Sequence, residues 1–392
     1  MAGQQRATGD HESYVDLRPR RSSYKWSAFP KEILPAFVAE TDFDLAPAVE
    51  HALEAAIRNG DTGYASRSSD IGTVFSSFAR RRYGWQVAPE NVTLVPDVMA
   101  GVLEVLRRVI RRGAGVVINT PVYRPFFTHI AEAGCRVVEA PLAYHGGAYA
   151  LDLDALERAF DGASVYLLCN PHNPTGLAFS RAQLQQIVAL AERHNVTILS
   201  DEIHAPLVLR HADHVPILSI GDEASVRTIS FHSASKAWNI PGLKCAQAVC
   251  GSDAMRAVLE SLPEAVGSRT GHLGVIASLA AYADESAWLD DLIDTLEANH
   301  NLFAELLTQA GTGLRHVRPA ATYLAWLDCR DLELGDDPAV LFRERGRVAF
   351  DSGLRFGTSG AGFCRATLAT TEATIREMVR RVVVALEGND PT

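Results

Sequence analysis

Lysine is almost missing from this 392-residue chain. Of 37 basic residues only Lys25, Lys31, Lys236 and Lys244 are lysines, leaving 33 arginines, so each lysine is a candidate for a task that arginine cannot perform. Positive charge is also outnumbered: 47 acidic residues give a formal charge of -10, which excludes a general basic surface for nucleic acid or anionic lipid. No stretch reaches about 18 uninterrupted apolar residues, so no membrane-spanning helix is expected. The six cysteines (Cys135, Cys169, Cys245, Cys250, Cys329 and Cys364) form no C-x-x-C pair and no Cys/His ligand spacing. That excludes a disulfide scaffold and a zinc site, and it points to free thiols in a reducing compartment. Residues 1–21 lack the apolar segment of a signal peptide, and the expected location is the cytoplasm. The apolar share of 47% and charged share of 21% are those of a folded globular protein, long enough for more than one domain.

What is present has a rhythm. Residues 1–22 carry no periodic apolar pattern and read as a flexible arm. From about residue 45 to 285, helical patterns alternate with seven apolar runs, at 92–96, 115–120, 136–142, 165–170, 196–202, 226–233 and 246–251. Runs of that length, apolar on both faces, are strands covered by helices on each side. Their alternation with helices such as 181–194 predicts a mostly parallel α/β sheet in one large domain. Beyond 285 the order changes to a long helix, strands at 322–328, 348–353 and 363–369, and a last helix over 371–386. These read as a smaller α+β domain, residues 286–392, joined by residues 23–44 from the other end of the chain.

The chemistry-bearing residues sit where such strands end. Lys236 closes Ser233-Ala234-Ser235-Lys236 and is followed by Asn239-Ile240-Pro241-Gly242-Leu243-Lys244, which sets an amine nucleophile beside hydroxyls and a second cation. The run ending at Asn170 leads into Pro171-His172-Asn173-Pro174-Thr175-Gly176, and the next ends in Ser200-Asp201-Glu202-Ile203-His204. Ligand sites of open α/β sheets gather at carboxyl strand ends, which brings these segments to one rim. Taken singly, a lysine near a turn is ordinarily a solvated charge, and an aspartate at a strand end is ordinarily a helix cap.

Together and in this order, the motifs resemble the fold-type I pyridoxal 5′-phosphate (PLP) enzymes of the class I/II aminotransferase superfamily, and within it the MalY/PatB-type carbon–sulfur β-lyases, the cystathionine β-lyase-like branch. The resemblance extends from about Tyr24 to the end of the chain. It implies a large domain with a mostly parallel seven-stranded sheet between helices, a smaller α+β domain, and PLP as cofactor. Lys236 would then form the Schiff base with PLP and act as base at the substrate α-carbon. Asp201 would keep the ring nitrogen protonated, Asn173 would donate to the ring hydroxyl oxygen, with His204 near it, and Tyr123 would stack on the ring. Ser233, Ser235, Lys244 and the helix opening at Val98 and Met99 would hold the phosphate, with Asp97 capping that helix. Tyr64 would reach the phosphate of a neighbouring subunit, implying a homodimer with shared sites, and would approach the substrate together with Asn173. Arg365 would clamp the substrate α-carboxylate.

The activity so implied is α,β-elimination from L-cystathionine or another L-cysteine S-conjugate, giving a thiol, pyruvate and ammonia. Transamination or decarboxylation of a specialised amino acid is the alternative on the same residues, and a regulatory binding protein on this scaffold is a third. Thr41 and Arg67-Ser68-Ser69 depart from the branch's usual pattern and are expected near the substrate side chain, favouring a substrate other than cystathionine.

Overall fold

A computed structural model of the chain describes residues 14–66, 70–316 and 318–388. Arg67, Ser68 and Ser69 lie outside the described residues, as do residues 1–13 of the expected arm. The seven apolar runs form one sheet of seven strands: β1 (Val92–Val95), β2 (Gly115–Ile118), β3 (Arg136–Glu139), β4 (Ala163–Cys169), β5 (Thr197–Asp201), β6 (Thr228–His232) and β7 (Ala246–Cys250). Their order across the sheet is β1-β7-β6-β5-β4-β2-β3. Only β7 runs against its neighbours β1 and β6; all other adjacent pairs are parallel. The cause of the continuous apolar runs is visible along β4. Val165, Leu167 and Cys169 enter one core while Tyr166 and Leu168 enter the other, so successive side chains are buried on opposite faces.

Four helices matter for the site and its support: α1 (Val98–Val109), α2 (Arg181–Arg193), α3 (Trp288–Gln309) and α4 (Glu372–Glu387). α1 starts where the sequence places its cap, because the Asp97 carboxylate accepts from the Ala100 amide at 2.8 Å. α2 begins with a capping box between Ser180 and Gln183 and buries the stripe Leu184, Ile187, Val188, Leu190 and Ala191. No helix among the described residues is long and apolar enough to cross a membrane.

A second sheet is antiparallel throughout, with β8 (Arg315–His316), β9 (Leu324–Asp328), β10 (Asp351–Ser352) and β11 (Phe363–Thr367) in the order β8-β9-β11-β10. The run expected as one strand at 348–353 divides at Phe350. Val348–Ala349 pairs parallel with Leu34–Pro35, whereas Asp351–Ser352 pairs with β11. Each half takes a partner on a different sheet, a distinction that hydropathy does not carry. Leu34 and Ala36 bury into the same core as Phe303, Phe342, Ile375 and Val379, so both ends of the chain meet there.

The segment just before Tyr24 is tied down. Tyr14–Leu17 forms one helical turn, and the Arg18 guanidinium donates to the carbonyls of Phe29, Pro30 and Ile33. The flexible arm expected over 1–22 therefore does not extend through residues 14–21. Five donors in a fixed fork let one arginine satisfy a whole loop of carbonyls. Lys25 is buried, with its Nζ 2.5 Å from Asp42 Oδ1. Cys135 is half-buried, the other five cysteines are buried, and all six are free.

Candidate active site

Every strand of the large sheet except β7 points its carboxyl end to one rim, and the loops leaving that rim meet the second sheet in a cleft of about 450 Å³. β5 ends on Asp201, β6 leads into Ser233 to Lys236, β4 leads into Asn170 to Gly176, and β1 leads into the opening turn of α1. Lys244 immediately precedes β7, whose reversed direction brings the start of that strand to the same rim. Val98, Met99, Tyr123, Asn173, Asp201, His204, Ser235, Lys236, Lys244 and Arg365 all line the cleft.

Two of the residues predicted to hold the cofactor do not. Ser233 lies behind Ser235: its hydroxyl donates to the Cys245 carbonyl at 2.7 Å, and the two serine oxygens are 2.6 Å apart. Ser233 has one hydroxyl proton, and with that proton on Cys245 the short contact is made by the Ser235 hydroxyl donating to Ser233. Ser233 thus orients Ser235. Tyr64 is 95% exposed and stands outside the cleft of its own protomer. Thr41, expected near the substrate side chain, is buried away from it. Its amide and carbonyl are both bonded to the Asn239 side chain, at 3.0 and 3.1 Å.

The electrostatics of the central pair oppose those of free side chains. Burial, reinforced by the nearby Arg365 charge, lowers Lys236 to about 8, which brings its amine within reach of the neutral, nucleophilic form. Its Nζ donates to the Ala39 carbonyl at 3.1 Å, and Tyr323 Oη donates to the same carbonyl at 3.0 Å. Burial raises Asp201 to about 7 despite the Ile203 amide donating to Oδ1 at 3.1 Å. A buried carboxyl so raised accommodates a cation placed opposite it. His204 is buried and pushed down to about 3 by burial and the Lys236 charge, so it is a neutral imidazole whose Nδ1 has no partner among the described residues.

Arg365 comes from the middle of β11. Its Nη1 donates to Asn173 Oδ1 at 3.0 Å, its Nη2 to the Phe37 carbonyl at 2.8 Å and to Asp351 Oδ2 at 3.0 Å, and its buried Nε has no partner among the described residues. One side chain therefore joins β11 to the large-sheet loop at Asn173 and to the N-terminal segment. Asp351 stands directly opposite Arg365 in the β10–β11 ladder. Sequence reading missed it, although an acidic residue directly after the apolar run Val348-Ala349-Phe350 was a signal of a buried partner.

These residues fit pyridoxal phosphate. Two buried polar atoms without partners among the described residues, His204 Nδ1 and Arg365 Nε, belong to residues that line the same cleft as a depressed lysine and a raised aspartate. At the other end the first amides of α1 have no intrahelical acceptor and Lys244 stands beside them, the donors and charge that a phosphate requires, and the Ser235 hydroxyl would join them by turning from Ser233. Lys244 Nζ is 3.1 Å from Asp97 Oδ2, so its charge is held at the helix opening. A roomier cavity of about 540 Å³ around Ile71, Pro89 and Val266 has no lysine, arginine, histidine or cysteine among its described lining residues.

Comparison with known proteins agrees with this geometry. The family model described as aminotransferase class I and II matches residues 40–382. The chain belongs to that family. Within the family it is 43% identical to a Mycobacterium leprae protein that carries a provisional cystathionine beta-lyase name, over 93% of this chain and 95% of that protein. It is 32% identical to the cystathionine beta-lyase of Corynebacterium glutamicum, over 95% of this chain and 98% of that one. Among solved structures, cystalysin from Treponema denticola, which contains pyridoxal 5′-phosphate, superposes with a TM-score of 0.89 at 26% identity, covering 94% of this chain and 96% of that chain.

Proposed function

We propose that this chain is a pyridoxal phosphate-dependent carbon–sulfur β-lyase acting on L-cysteine S-conjugates, L-cystathionine included. The observation that carries the reading is the placement of Lys236, Asp201 and Arg365 around one cleft, with an amine lowered to about 8 facing a carboxyl raised to about 7. When bound, the cofactor supplies an electron sink for the pair released at the substrate α-carbon. The remaining work belongs to the side chains. Lys236 would hold the cofactor and move the α-proton, Asp201 would keep a proton at the ring nitrogen, Tyr123 would pack against the ring, and Asn173 and His204 would serve its hydroxyl edge. Ser235, Lys244 and the amides at Val98 and Met99 hold the phosphate, with Ser233 fixing Ser235. Arg365 holds the α-carboxylate with its free Nε edge.

In the net reaction the β-carbon–sulfur bond breaks, the sulfur leaves as thiol, and water completes the conversion of the remaining three-carbon fragment to pyruvate and ammonia. Tyr64, exposed on its own protomer, reaches the partner's site in a homodimer. Six unpaired thiols suit a cytoplasmic enzyme.

Incubation with L-cystathionine should release homocysteine and pyruvate in equal amounts, and Lys236→Ala should abolish both together with the cofactor's lysine-bound absorbance. Accumulation of pyridoxamine phosphate without thiol would make the protein an aminotransferase. A biological effect that survives Lys236→Ala would make it a binding protein.

A further inference from the structure

Among the described residues four lysine and arginine side chains line the cleft: Lys236, Lys244, Arg355 and Arg365. The proposed chemistry employs three of them. Arg355, on the turn Gly353–Phe356 that follows β10, is the fourth. It shares one carboxylate with the α-carboxylate clamp: Asp351 Oδ1 accepts from Arg355 Nη1 at 2.9 Å, while Asp351 Oδ2 accepts from Arg365 Nη2 at 3.0 Å. The two guanidiniums are therefore separated by roughly one carboxylate and two hydrogen bonds, about 8 Å. They differ in exposure. The Arg365 side chain is 5% accessible, whereas that of Arg355 is 43% accessible and spends one N–H on Asp351, leaving further donors for the mouth of the cleft. Phe37, Val38 and Tyr24 supply apolar surface along the same cleft.

We propose that Arg355 selects the sulfur substituent, so that the preferred conjugates carry a carboxylate two or three atoms beyond the sulfur. This rests on Arg365 binding the α-carboxylate: a substrate anchored there directs its side chain toward the neighbouring guanidinium across Asp351. Arginine suits the task because its planar fork receives a carboxylate through two parallel hydrogen bonds.

The test compares S-carboxymethyl-L-cysteine with S-carbamoylmethyl-L-cysteine, which differ by an amide in place of the carboxylate. The parent enzyme should favour the acid by about 10-fold or more in kcat/KM, carried mainly by KM. In Arg355→Gln that ratio should fall to about one, and Arg355→Lys should restore part of it. L-2-aminoadipate and its side-chain amide, which have no leaving group, should show the same preference as competing ligands when followed by cofactor absorbance. A ratio near one in the parent, or a preference that Arg355→Gln leaves intact, overturns the assignment. Release of thiol from neither conjugate and none from L-cystathionine removes the lyase reading instead, and the aminoadipate pair then still decides the role of Arg355.

Discussion

Asp201 is held in the protein at a cost that its cofactor would relieve. Its carboxyl is raised from an ordinary 3.8 to about 7, so the folded apoprotein binds a proton that the unfolded chain has already lost. The associated stability is complete below about pH 4 and disappears as the pH rises through 7. Replacing Asp201 by Asn removes that dependence. Apo Asp201→Asn should therefore be more stable than the parent at pH 8, by up to a few kcal/mol, with the difference closing near pH 4. Urea denaturation of the two apoproteins at both pH values measures this, and equal midpoints at pH 8 would refute it. The same variant should lose lyase activity, because an amide cannot keep the ring nitrogen protonated. Lys25 offers the contrast. It is as scarce as Lys236 but fully buried against Asp42, and its charge is matched within the protein and serves the fold. Scarcity flagged both lysines, and only the neighbouring hydroxyls and strand ends distinguished the nucleophile.

The loop between β4 and α2 shows how an element holds a site residue. Gly176 has φ of +69°, and a Cβ there would lie 2.2 Å from Pro319 Cβ and 2.8 Å from the Ala321 carbonyl oxygen. Its own carbonyl accepts from the amides of Ala320 and Ala321, which fastens the loop carrying Asn173 to the approach to β9. Gly176→Ala meets both a left-handed backbone and a backbone contact that cannot yield. It should cost more than about 2 kcal/mol and weaken cofactor retention, because Asn173 lies three residues earlier. Chemical denaturation and the cofactor dissociation constant test this, and a variant within a few tenths of a kcal/mol of the parent would show that the loop is not clamped. Such clamps were partly legible in the sequence. The central strands were readable because the five inner ones, β2 and β4 to β7, are buried on both faces, and the motif order brought Lys236, Asp201 and Asn173 to one rim. The division of 348–353 between two sheets was not, since pairing partners leave no mark in hydropathy. Nor was the withdrawal of Ser233 from the cleft, which depends on the Cys245 carbonyl twelve residues away in sequence. Asp351 escaped notice because its meaning comes from Arg365 across the ladder.

At the scale of the whole molecule, the two chain ends and the large sheet are joined at the cleft by a small set of contacts. Arg365 spans β11, the Asn173 loop and the Phe37 carbonyl, and the Ala39 carbonyl receives both Lys236 and Tyr323. One expected participant, Tyr64, remains outside this network and is almost wholly exposed. Exposure of a single tyrosine is ordinary by itself, so the role of Tyr64 is decided by complementation between protomers. If Tyr64 completes the partner's site, Lys236→Ala and Tyr64→Ala protomers repair one another. In a mixed dimer the Tyr64→Ala protomer supplies Lys236 and receives the intact Tyr64 of the other chain, giving one complete site of two. Random reassortment makes half of the dimers mixed, so co-refolding the two inactive variants should recover about a quarter of the parent activity. If Tyr64 acts within its own chain, neither site of the mixed dimer is complete, and the mixture should be no more active than the average of the two variants. Measuring thiol release from the co-refolded mixture and from each variant separates the two arrangements.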